Sequence, residues 1–148
     1  MRRVSRWWRA ILAAIAAACT DPSRPEPTAN RTVRLEVEVL APRTNETVVA
    51  GRALGIRVRG REPGGQLVGL GYVARRFSTM ATIDSAVVRF GPVSDTTHGF
   101  TMLVPPGLPT NTQIDIYGLA FGPAASRSTS VPQAVIVLQC SPGAVWCR

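Results

Sequence analysis

From Thr32 the chain reads Thr-Val-Arg-Leu-Glu-Val-Glu-Val, with an apolar residue at every odd position to Val39 and a charged one at each even position after Thr32. A period of two sends successive side chains to opposite faces of an extended backbone, so this segment specifies a strand with one dry and one wet face. Ala53–Arg59 repeats the pattern with Leu54, Ile56 and Val58 directed inward. Further candidate strands are Leu67–Val73, Ala86–Phe90, Phe100–Val104, Gln113–Phe121 and Ala134–Leu138. Between them lie turn signals such as Pro42–Asn45, Glu62-Pro63-Gly64-Gly65 and Pro105-Pro106-Gly107. No stretch between Arg31 and Gln139 has a helical period of useful length. The expectation is an all-β chain: a single seven-stranded antiparallel β-sandwich over residues 32–139.

If the first two strands pair, Arg34, Glu36 and Glu38 face Arg57 and Arg59 across the sheet. Arg57, Arg59 and Arg61 alternate and so point the same way, about 7 Å apart. Such a stripe is a candidate anion-binding site for phosphate, sulfate or lipopolysaccharide. The competing reading is a solvated face balanced by Glu36 and Glu38, with charges that discourage edge pairing. The chain carries 17 Arg and no Lys for a net charge of +8, but Arg2, Arg3, Arg6 and Arg9 fall in the first nine residues, and residues 20–148 keep 13 Arg against 9 acids. That surplus is too thin for a nucleic-acid footprint, and no aromatics interleave with the stripe for base stacking, so no nucleic-acid partner is expected.

Candidate chemistry is sparse. His98 is the sole histidine and sits in Asp95-Thr96-Thr97-His98-Gly99, which reads as a loop. A hydrolytic arrangement would combine it with Ser94, Asp95, Asp84 or Asp115, but no Gly-x-Ser-x-Gly elbow is present. Asp115, flanked by Ile114 and Ile116, reads as a surface residue on the outward side of a strand. The four Asp and five Glu form no calcium loop, and one histidine does not assemble a zinc site. No catalytic residue, metal or cofactor is nominated. Tyr72, Tyr117 and Phe121 read as packing residues and not as carbohydrate platforms.

The N-terminus reads as an address. Met1–Arg9 is cationic, and Ala10–Ala18 is an uninterrupted apolar run ending in small residues, which is export-signal grammar over residues 1–18. Nine apolar residues fall short of the roughly 20 a membrane-spanning helix needs. Arg2-Arg3 lacks the rest of a twin-arginine pattern, so general secretion is expected. Residues 19–31 follow with Pro22, Pro25 and Pro27, a polar linker whose segment from Thr20 to Asn30, at roughly 3 Å per residue, can hold a domain about 30 Å from a headgroup plane.

Ala16-Ala17-Ala18-Cys19 resembles the lipobox of bacterial lipoproteins, with Ala16 where that family usually has Leu. The resemblance implies that Cys19 receives a diacylglycerol thioether, becomes the N-terminus on cleavage and is acylated, with palmitate among the expected chains. Thr20 is compatible with release to the outer membrane. The same Ala16-x-Ala18 also satisfies the ordinary signal-peptidase rule, in which case Cys19 begins a periplasmic or secreted protein. Lipidation of Cys19 leaves Cys140 and Cys147, which enclose a Pro-Gly turn and can close a C-terminal disulfide loop over residues 140–148.

The strand pattern is similar to bacterial immunoglobulin-like domains. It is carried by Leu40-Ala41-Pro42, by Gly51-x-x-Leu54-x-Ile56-x-Val58, by Val68-Gly69-Leu70-Gly71-Tyr72 and by Ile114-Asp115-Ile116-Tyr117-Gly118-Leu119-Ala120. The core Trp and inter-sheet disulfide of antibody-type domains are missing. The sequence reading is therefore an exported envelope lipoprotein, anchored to the membrane, whose non-catalytic domain serves binding or structural presentation to an envelope protein or glycan. The alternative is a small envelope enzyme or enzyme accessory using His98 and a carboxylate.

Overall fold

A computed structural model of the chain describes residues 34–140. The signal segment, Cys19, the linker and Cys147 lie outside the described residues. The described chain is all-β, with nine strands: β1 (Glu36–Ala41), β2 (Glu46–Val49), β3 (Ala53–Arg61), β4 (Leu67–Arg76), β5 (Thr82–Val93), β6 (Asp95–Leu103), β7 (Gln113–Phe121), β8 (Arg127–Thr129) and β9 (Gln133–Leu138). Each of the seven expected strands overlaps one of these. The two extra ones, β2 and β8, are four and three residues long, too short to display an alternation.

Two sheets form. The smaller runs β1-β3-β6; the larger runs β2-β9-β7-β4-β5, with β8 on the same edge of β7 that β9 uses further along. The arrangement is not purely antiparallel as expected: β2 pairs β9 in parallel, Glu46 opposite Val135 through Val49 opposite Leu138. Parallel pairing follows because β2 reaches the edge of β9 from a different part of the chain, with no hairpin joining the two.

In β3 the alternation is complete: Leu54, Ile56 and Val58 are buried and Arg57, Arg59 and Arg61 are exposed. These apolar residues join Val39 and Met102 on the inner side of the small sheet. Leu70, Tyr72, Ala74, Ile114, Ile116, Ala120, Val135 and Val137 supply the other side of the same core. Each fully buried aliphatic side chain contributes about 1.5–3 kcal/mol over leaving it in water. The sheets approach closely at Gly118 in β7, where an added Cβ would lie 3.1 Å from both Val37 and Val58 and 3.3 Å from Val39. A side chain there would hold the layers apart, so β7 uses glycine at the point where β1 and β3 cross it.

Candidate functional site

The arginine stripe lies on β3, the central strand of the small sheet and not an edge. Its neighbours are set by register. Glu36 is opposite Arg61 and Glu38 opposite Arg59 on β1, while Asp95, Thr97 and Gly99 on β6 stand opposite Arg61, Arg59 and Arg57. The expected facing of Glu36 by Arg57 or Arg59 is thus corrected by one pairing step. A bulge between Val39 and Ala41 then shifts the register so that Arg57 meets Ala41 instead of Leu40, with no carboxylate opposite it in either register.

Arg59 is the hub. Its Nε donates to Asp95 Oδ1 at 3.0 Å and its Nη2 to Asp95 Oδ2 at 2.6 Å, a bidentate pair, and Nη1 lies 3.7 Å from Glu38 Oε1. The hydrogen bonds from Arg59, with the charges of Arg59 and Arg61, hold the Asp95 carboxyl below its ordinary range despite opposing desolvation. The same hydrogen bond and the Asp95 charge raise the Arg59 guanidinium further above its usual value. Arg59, Arg61, Glu36, Val37 and Glu38 line a hollow of about 260 Å³. Arg59 and Arg61 here stand among Glu36, Glu38 and Asp95, so an anion arriving at Arg59 would have to displace a carboxylate. Of the three arginines, only Arg57 has uncharged residues opposite it on both sides, Ala41 and Gly99.

His98 is in β6, not in a loop. The segment is polar, but Thr96, His98, Phe100 and Met102 all turn to the inner side of the sheet, where they are half-buried or buried. The His98 ring meets Phe100 edge-on at 4.8 Å, and Phe100 lies 5.3 Å from Tyr72. Asp95 is on the opposite face of β6, committed to Arg59. Ser94 accepts the Glu62 amide through its backbone carbonyl. Asp84 accepts the Tyr72 hydroxyl at Oδ2, 2.7 Å away, and burial together with this bond and the Asp84 charge pushes the phenol well above its ordinary pKa. No carboxylate among the described residues hydrogen-bonds to His98.

Asp115 is a second correction. It points to the outer side of the large sheet as expected, yet is only 5% exposed and accepts a hydrogen bond from Gln113 Nε2 at 2.8 Å. A strand position can face outward and still be covered by its neighbours. Among the described residues, no three His, Cys, Asp or Glu side chains gather where a metal ion could sit. Cys140 is the last described residue.

Tyr117 and Phe121, expected as packing residues, lie on the outer face of the large sheet beneath arginines that the sequence does not single out. There Arg89 of β5 lies 4.3 Å over the Phe121 ring and Arg75 of β4 lies 6.0 Å over Tyr117. The signal was available: Val73, Arg75, Val87, Arg89, Tyr117 and Phe121 are all odd positions of alternating strands.

No family model and no curated protein sequence matches the chain. Solved structures share its trace more loosely. Fibronectin(III)-like modules of Clostridium thermocellum CbhA match at TM-score 0.47 and 16% identity over 72% of this chain, which spans 48% of theirs. A Niemann-Pick type C2 protein from Japanese carpenter ant matches at 0.46 and 8% over 70% of this chain and 89% of that one. A CARDB domain from Pyrococcus furiosus matches at 0.45 and 13% over 72% and 89%. At these values the similarities define no family.

Proposed function

We propose that this chain is an exported, lipid-anchored envelope protein whose single β-sandwich domain, of the immunoglobulin-like type, binds or presents and does not catalyse. The observation that carries the reading is how the chain divides. The compact unit holding all nine strands begins at Val33, directly after the proline-bearing segment that separates it from Cys19. A cationic head, an apolar run, small residues, a cysteine, a polar spacer and then a domain is the order a tethered envelope module requires. The polar groups that could have served catalysis are engaged otherwise: Asp95 with Arg59, Asp84 with Tyr72, and His98 against Phe100. A Cys140–Cys147 bridge belongs to the same reading, supported by the Pro-Gly turn signal that the two cysteines enclose. Oxidising export compartments sustain such bonds.

The test is labelling with radioactive palmitate in a bacterial host, followed by separation of membrane and soluble fractions. The wild-type chain is expected to carry label in the membrane fraction, and Cys19→Ser is expected to carry none. An unlabelled wild-type chain overturns the anchor.

A further inference from the structure

The outer faces of the two sheets differ in charge balance. On the small sheet, Arg59 at the centre of the stripe pairs with Glu38 and Asp95. On the large sheet, Arg75, Arg89 and Arg127 share the outer face with one carboxylate, the covered Asp115, and none of the three makes an ion pair among the described residues.

Register arranges this face in rows across the strands. One row contains Arg89, Gly69, Phe121 and Arg127. The next, about 7 Å along the strands, contains Val87, Gly71, Leu119 and Thr129. The third contains Ser85, Val73 and Tyr117. A cationic row is thus followed by two that are mainly apolar. In the first, the guanidinium of Arg89 rests on the Phe121 ring, and Arg127 stands directly opposite Phe121 on the other side. Gly69 makes the stacking feasible: an added Cβ would come within 2.9 Å of Arg89 Cδ. Stacking on an aromatic face leaves the planar N–H edges of a guanidinium free for an oxyanion. In the second row Val87 is 50% exposed.

We propose that this face binds a phosphate-bearing amphiphile, the phosphate held between Arg89 and Arg127 and the apolar part lying along Val87 and Val73. Two unpaired arginines supply the charge, and the apolar rows beside them favour an amphiphile over a free anion. The site does not depend on the lipid anchor and could serve a soluble form equally.

Decyl phosphate, inorganic phosphate and a neutral decyl glucoside, each titrated into the full-length chain by calorimetry, test it. Decyl phosphate is expected to bind at one site per chain, at least tenfold more tightly than either comparison compound. The double variant Arg89→Gln/Arg127→Gln is expected to lose at least tenfold in that affinity while keeping its circular dichroism and melting temperature. Phe121→Leu, which removes the ring under Arg89 and keeps the charge, should give a smaller loss. Affinity unchanged in the double variant overturns the proposal. So does inorganic phosphate binding as tightly as decyl phosphate, or the glucoside doing so.

Discussion

Arg59 shows how a strand position acquires its role from its neighbours. The sequence marks it as one of three alternating arginines, and the register makes it the partner of both Asp95 and Glu38. Because the folded state holds the Asp95 carboxyl below its unfolded value, the linked stability is fully present above about pH 4 and is lost as pH falls through the lowered value. The melting-temperature difference between wild type and Asp95→Asn should therefore be largest near neutral pH and shrink toward zero in acid. Both groups are exposed, so added salt should also shrink it. Thermal melts across pH check this, and a difference that grows in acid would contradict the assigned pairing. His98 and Asp115 were misread for a shared reason: polarity indicates what a side chain can bond to, not whether a neighbouring strand covers it. Asp95-Thr96-Thr97-His98-Gly99 looks like a loop because its inward positions are polar, yet the aromatic contact with Phe100 accommodates the imidazole.

At the scale of elements, seven strands were legible because each carries enough alternation or enough apolar residues to be seen without its partners. The strand order, the bulge in β1 and the parallel addition of β2 were not, since these depend on which edges meet in space. The turn joining β7 to β8 holds a local conflict that sequence also conceals. Ala124 and Ala125 both adopt positive φ, 51° and 61°, between Pro123 and Ser126, whose backbone groups hydrogen-bond across the turn at 3.0 Å. Two consecutive left-handed residues are the geometry of a turn that favours Asn-Gly, and alanine is penalised there by about 1–2 kcal/mol per residue. Replacing Ala124 by Asn and Ala125 by Gly together should stabilise the domain by about 1 kcal/mol, after the greater unfolded-state freedom of glycine is subtracted. Denaturant unfolding would register this as a higher midpoint at unchanged slope.

For the whole molecule, the sheets divide the polar work. The small sheet's outer face is a compensated set of charges over buried Leu54, Ile56 and Val58. The large sheet's outer face carries arginines on aromatic rings. The stripe that alternation makes conspicuous is therefore neutralised at its centre, Arg59. The large sheet's cations without ion-pair partners are scattered over β4, β5 and β8, where only pairing registers bring them together. The proposed anchor, by contrast, rests on residues read in a row, and its chemistry can be weighed. Mass spectrometry of the intact chain taken from the membrane fraction of its native host, before and after reduction, tests it most directly. The account predicts a chain beginning at Cys19 with diacylglycerol and acyl chains attached, gaining about 2 Da on reduction as the Cys140–Cys147 bridge opens. An unacylated mass would contradict the anchor, and an unchanged mass on reduction would contradict the bridge.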